Sequence, residues 1–143
     1  MASDFVAQNR KQLDRLRTLV ARLSADDMAR ELGGGWTVGD ALVHLAFYDR
    51  RAAVLLTRFT RDGITPSPYD YDTINEVLLH FSRRMPAEMI AAEVIAAAES
   101  ADAAAATTPE GLFAEIDRRH EVKLSRAEHR ANHLDEIEAA LGG

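Results

Sequence analysis

The sequence predicts an all-α fold, a four-helix bundle with a long crossover connection between its second and third helices. Apolar residues recur at spacings of three and four along several segments, which is typical of helices that bury one face. Helix-starting patterns precede these segments, and no segment alternates apolar and polar residues as a half-buried strand does. These observations favour packed helices over a sheet architecture.

The composition is that of a globular protein, and it excludes several functions. The 143 residues suffice for one domain spanning residues 1–143 with a substantial core. A net charge of −6, from 17 basic and 23 acidic residues, argues against nucleic acid as a partner. The chain has no cysteine, so any thiol chemistry would need an external thiol. Without an apolar signal segment or a run of about 20 apolar residues, we expect a cytoplasmic protein that binds no membrane.

The first helix is predicted to begin near Asp4. Its apolar residues recur at helical spacing, at Leu13, Leu16, Val20 and Leu23. Ser24 and Asp27 have the spacing of a capping box, which predicts a short helical turn over residues 25–32. The three consecutive glycines at 33–35 are predicted to end that turn.

The second helix is predicted to start after Thr37, whose capping-box partner is Asp40, and to run to about Arg61. Residues 62–71 are predicted to form the crossover loop, because this stretch contains one glycine and two prolines, Gly63, Pro66 and Pro68. A third helix follows from near Asp72.

Two prolines divide the second half of the chain. Pro86 predicts a break, after which the alanine-rich run to about Ala106 continues as a helix that packs closely through small side chains. Thr108 as N-cap and Pro109 at the first helical position then predict a final helical region, with a bend near His120. Its last helix is predicted over residues 125–141.

That last helix carries the sequence's main functional signal. His129 and His133 are four residues apart, so both imidazoles lie on one helical face and can reach one metal ion. His44 on the second helix is a candidate third ligand, and three neutral imidazoles favour zinc or nickel. The alternative is that the pair consists of polar residues on a solvated face. His80 and His120 have no partner at ligand spacing.

The motifs around these histidines resemble those of a known family. Trp36-Thr37-Val38-Gly39-Asp40, then His44-Leu45-Ala46 and Asp49, and the terminal His129-x-x-x-His133-Leu, are similar to the DinB/YfiT-like superfamily over nearly the whole chain. The resemblance implies a DinB-like four-helix bundle, often a homodimer, which holds a divalent metal through His44, His129 and His133. The superfamily includes bacillithiol or mycothiol S-transferases and the N-terminal domain of mycothiol-dependent maleylpyruvate isomerase.

Three functions fit this reading of the sequence. The first is a metal-dependent transferase that activates a low-molecular-weight thiol as cosubstrate and transfers it to a small-molecule substrate. The alternatives are a non-catalytic metal-binding stress or sequestration protein and a metal-dependent hydrolase. Tyr48 shares the face of His44 and is a candidate to orient substrate or donate a proton. Arg126 is a candidate to bind a substrate carboxylate, while Asp49 is predicted to be a cap or a buried ion-pair partner.

Overall fold

The computed structural model describes residues 2–142, which fold into seven α-helices, one 3₁₀ turn and one short hairpin. The helices are α1 (Ala2–Ala21), α2 (Ala25–Met28), α3 (Val38–Asp62), α4 (Tyr71–Ser82), α5 (Ala87–Thr107), α6 (Phe113–Arg119) and α7 (Ala127–Ala140). The 3₁₀ turn covers Glu110–Leu112, and the strands are β1 (Glu31–Gly33) and β2 (Trp36–Thr37). None of the helices within this range has the length and apolar character needed to cross a lipid bilayer.

The four long helices α1, α3, α5 and α7 form the bundle. Both α1 and α3 pack against α5 and α7, which places α1 and α3 at opposite corners. Residues 63–70 and α4 connect α3 to α5, and α4 packs on α3. The all-α bundle with a crossover between its second and third long helices is therefore confirmed.

The core is built from leucine, valine and alanine side chains. Leucines from α1, α3 and α7 are fully buried together, among them Leu16, Leu42, Leu45 and Leu134. The alanines of α5 allow this helix to approach its neighbours closely, and four of them are buried, Ala97, Ala98, Ala101 and Ala105. The small residues of α5 therefore serve the packing of the bundle itself.

Both predicted capping boxes are present. The Thr37 hydroxyl accepts from the Asp40 amide at 3.1 Å, and the Asp40 carboxylate accepts from the Thr37 amide at 3.0 Å. Ser24 and Asp27 make the same reciprocal pair, with both bonds at 3.0 Å. The first box fixes the start of α3, and so the position of His44 in its second turn.

The predicted helical turn over residues 25–32 is wrong in its second half. The helix ends at Met28, and residues 31–33 instead pair with residues 36–37 as an antiparallel hairpin. The glycines of the turn have φ values of +113°, +60° and +83°, which ordinary residues rarely adopt. The strands are too short to show the alternation by which a sequence pattern reveals a strand.

The predicted final helical region is also interrupted more strongly than by a bend. His120 has φ of +58° in the left-handed region, and residues 120–126 are not helical. Thr108 does not cap this region; its hydroxyl donates to the Ala104 carbonyl at 2.8 Å and so belongs to the end of α5. The last helix, α7, begins at Ala127, two residues later than predicted.

Candidate metal centre

The structure brings together the three histidines predicted from the sequence. His44 comes from α3, while His129 and His133 come from successive turns of α7. One ring nitrogen from each lies within 4.8 Å of the others, and His44 Nε2 is 3.0 Å from His129 Nε2. His44 is buried, with 1% of its surface exposed, and the other two are half-buried.

The donor set and its spacing fit a divalent ion. A tetrahedral zinc site with Zn–N distances of about 2.0–2.1 Å separates its ligand nitrogens by roughly 3.3 Å. The His44 and His129 Nε2 atoms are 3.0 Å apart, and the three candidate ligand nitrogens all lie within 4.8 Å of one another. His133 Nδ1 lies 3.2 Å from Glu136 Oε1 without hydrogen-bond geometry, so it is a buried nitrogen without a hydrogen-bond partner among the described residues. The set of three imidazole nitrogens from two helices is of the kind that binds a borderline divalent ion.

Burial keeps the three rings neutral, which is the form that binds metals. Burial and the neighbouring His133 lower the pKa of His44 to about 4. Burial, with His133 and His44 nearby, lowers the pKa of His129 to about 3. The pKa of His133 is also lowered by burial, although Glu136 opposes the shift. At neutral pH each ring therefore offers a free lone pair.

Asn75 on α4 orients His44, and sequence spacing did not reveal it. Its Oδ1 lies 3.1 Å from His44 Nδ1 and 3.4 Å from the Tyr48 hydroxyl. When His44 Nδ1–H donates to this oxygen, the Nε2 lone pair points to the triad. Asn75 is 31 residues from His44, across the crossover, so only the packing of α4 on α3 brings them together.

A cavity of about 350 Å³ opens beside His129. Its wall combines three tyrosine rings with basic and acidic groups, namely Tyr48, Tyr69, Tyr71, Arg51, Lys123, Arg126, Glu121 and Glu128. Arg51 lies 4.1 Å from the centre of the Tyr69 ring and donates to the Glu121 and Ser67 carbonyls. Arg51 was missed from the sequence, although it continues the helical face of His44 and Tyr48, seven and three residues later.

The other predicted residues take the following places. Tyr48 is buried against His44, and burial with the neighbouring tyrosines raises its pKa to about 12. Arg126 Nε donates to Asp49 Oδ1 at 2.9 Å, which confirms Asp49 as a buried ion-pair partner. Tyr48 and Arg126 both line the cavity, and their roles toward a substrate stay predictions. His80 and His120 are exposed and lie outside the triad.

Fold and site together define a class: an all-α bundle in which the second and last long helices present three histidines able to hold a divalent ion. The family model of the mycothiol maleylpyruvate isomerase N-terminal domain matches residues 10–139. The chain therefore belongs to this family, within the DinB-like superfamily. Neither a curated protein nor a solved structure matches the chain.

Proposed function

We propose that this protein is a metal-dependent transferase that binds one divalent ion through His44, His129 and His133 and activates a low-molecular-weight thiol. The observation that carries the proposal is the convergence of three neutral imidazoles, from two helices, beside a cavity large enough for a small molecule. Imidazole ligands favour zinc or nickel over magnesium or calcium, which prefer oxygen. Such an ion supplies Lewis acidity, which lowers the pKa of a thiol that reaches it.

The chain's own residues would prepare the site for this chemistry. Asn75 accepts from His44 Nδ1 and so holds Nε2 in the ligand position. Tyr48 has a raised pKa, so its phenol remains protonated at neutral pH and is able to donate a hydrogen bond to a molecule in the cavity. Arg51, which contacts backbone carbonyls and the Tyr69 ring, offers a positive group that would orient an anionic part of a ligand.

The thiol must come from outside the protein. The chain contains no cysteine, so no side chain can act as the sulfur nucleophile. The cavity of about 350 Å³ lies beside His129, where a cosubstrate and an electrophile would have to meet. The family match to a mycothiol-dependent enzyme's N-terminal domain supports a thiol as the cosubstrate.

The test combines metal analysis with a conjugation assay. Protein purified without chelators is analysed for bound elements, reloaded with zinc or nickel, and mixed with several small thiols, bacillithiol and mycothiol included, and a fluorogenic electrophile. We expect thiol-dependent conjugation by the loaded wild type and none above background by His133→Ala.

Two other results would replace the proposal. Bound metal without conjugation of any thiol would favour the sequestration function, and hydrolysis of activated esters without a thiol would favour the hydrolase. His80→Ala is the matched control, because His80 is exposed and lies outside the triad. It should retain both metal and conjugation.

A further inference from the structure

A network of charged side chains joins the two helices of the triad, α3 and α7, to α5. It consists of Asp49 on α3, Asp102 on α5, Arg126 directly before α7 and Arg130 in the first turn of α7, and we call it the charge network. Two arginines and two aspartates make it formally neutral. Asp49 and Arg130 are at most 1% exposed, and Arg126 is 8% exposed. None of these groups is a metal ligand in the proposed site.

Arg130 connects α7 to each of the other three long helices. Its Nε donates to Asp49 Oδ2 on α3 at 3.2 Å, and its two terminal nitrogens hold both Asp102 oxygens on α5 at 3.1 and 2.7 Å. The same terminal nitrogens donate to the Asn9 carbonyl on α1 at 3.2 Å and the Ala98 carbonyl on α5 at 3.3 Å. All five guanidinium N–H groups therefore have an acceptor.

Asp49 is the group that both arginines share. One carboxylate oxygen accepts from Arg126 at 2.9 Å and the other accepts from Arg130 at 3.2 Å. Arg126 and Arg130 are one helical turn apart, so Asp49 contacts α7 at two heights along its axis. Asp49 is five residues after His44, and His129 lies between the two arginines in sequence. The contact that joins the helices is thus within about two turns of all three histidines.

Apolar packing alone would define the position of α7 weakly. Besides Arg130, this helix buries only Leu134 and Ile137. It also lacks a side-chain N-cap; Asn9 of α1 supplies the acceptor for the Arg126 amide, at 2.7 Å. A slip of one residue would move α7 by about 1.5 Å and rotate its side chains by about 100°. Buried ion pairs are a poor source of stability, and their best-attested use is to fix register.

We propose that Asp49 is the positioning residue that sets the register of α7 against α3, and through it the spacing of His129 and His133 from His44. The inference rests on the proposed metal site, since the spacing matters for binding an ion. Losing a group that is hydrogen-bonded directly to a metal ligand typically weakens metal binding by about 10–100-fold, and we expect a loss of that order from a displaced α7. Asn at this position could accept from one arginine, but its amide would face the N–H groups of the other.

The experiment compares Asp49→Asn with wild type in three measurements. Zinc affinity is measured by competition with a chromophoric chelator, the visible spectrum of the cobalt(II) form reports ligand geometry, and thermal unfolding reports stability. We expect Asp49→Asn to bind zinc about 10–100-fold more weakly, with an altered cobalt(II) spectrum. A lower unfolding temperature with zinc affinity within about twofold of wild type would mean that the network only stabilises the fold, and would overturn the proposal.

The matched control is Glu93→Gln, which makes the same carboxylate-to-amide change in another ion pair of α3. Glu93 holds Arg50 through two bonds of 2.7 and 2.8 Å, and this pair joins α3 to α5 without contacting α7. Its zinc affinity should equal that of wild type. Should Asp49→Asn fail to fold, Arg126→Gln decides the matter by the same criteria, because it removes the more exposed of the two arginines.

The metal-free protein separates this inference from the proposed function. Imidazole NMR signals report ring environment without any ion, and we expect Asp49→Asn to shift those of His129 and His133 but not those of His80 and His120. If wild type binds no zinc but these signals shift, the metal function fails and the positioning role stands. If wild type binds zinc and neither signals nor affinity change in the variant, the positioning role fails alone.

Discussion

The helices α3 and α7 both supply the triad, but they are held in place by different forces. α3 has 25 residues, begins at a reciprocal capping box and buries most of its first half. α7 has 14 residues, begins without a side-chain cap and buries only Arg130, Leu134 and Ile137. Apolar burial positions His44, whereas buried ion pairs contribute strongly to the position of His129 and His133. The position of His44 therefore depends mainly on apolar packing, whereas the positions of His129 and His133 depend more on buried charged contacts.

The largest effect is expected from removing a ligand on the α7 side. His133→Ala leaves two imidazoles, and its loss of zinc affinity should exceed the roughly 10–100-fold that outer contacts contribute. The measurement is chelator competition together with elemental analysis. His120→Ala supplies the comparison, since this exposed residue lines the cavity but lies outside the triad. Equal zinc content in wild type and His133→Ala would rule out the triad as the site.

Acid should destabilise the metal-free protein through the triad. The pKa of His44 is about 4 and that of His129 about 3 in the folded chain, against 6.5 in the unfolded chain. Below pH 6.5 these two histidines bind protons in the unfolded chain but remain unprotonated in the folded chain, which favours unfolding. Stability is therefore full above pH 6.5 and lost as pH falls toward 4, on the order of a few kcal/mol.

Urea unfolding at several pH values tests the acid effect. Wild type should lose more stability between pH 6.5 and 4 than His129→Gln, which lacks one of the two depressed groups. Identical pH profiles for the two proteins would contradict the prediction. Ligand histidines with the ordinary pKa of about 6.5 would release zinc as they become protonated near that pH. Because the pKa values of the triad are lowered, zinc should stay bound to a lower pH.

Apolar burial in the part of α3 distant from His44 should contribute to stability without changing zinc affinity. Leu56 is fully buried, twelve residues after His44, in a cluster of apolar side chains that includes Phe59, Ala101 and Ile116. Leu56→Ala should lower the free energy of unfolding by about 2–5 kcal/mol through the cavity it leaves. Zinc affinity of the folded variant should stay within about twofold of wild type. If Leu56→Ala lost as much zinc affinity as Asp49→Asn, distant apolar packing and the charge network would contribute equally to the ion site.

The sequence predicted the parts of the site that depend on local spacing. The separation of His129 and His133 places them on one face of any helix, and the Thr37 capping box defines where the helix of His44 begins. The resemblance to the DinB-like superfamily added the pairing of these helices. Their convergence within 4.8 Å follows that expectation.

Contacts between distant segments had no local signal. Asn75 reaches His44 only because α4 folds back on α3, and Arg130 reads in sequence as one more polar residue beside the histidines. Its burial reverses the usual preference of arginine for solvent, and only its acceptors on three helices explain it. The hairpin was missed because the three glycines were interpreted as the end of a helical turn. Its strands, of three and two residues, are too short to show alternation.

The smallest loss of zinc affinity is expected from changing Asn75, the residue of α4 that contacts His44 on α3. Asn75→Ala removes the acceptor for His44 Nδ1–H, so the ring can place its proton on Nε2 instead, where it competes with an ion. We expect zinc affinity to fall by about 10-fold, because the packed α3 still holds the ring in place.

Asn75→Asp, which keeps an acceptor, should bind zinc at least as tightly as wild type. Asn132→Ala, which removes an exposed amide from the cavity wall, is the control. Unchanged affinity in Asn75→Ala would show that the packing of α3 alone orients His44.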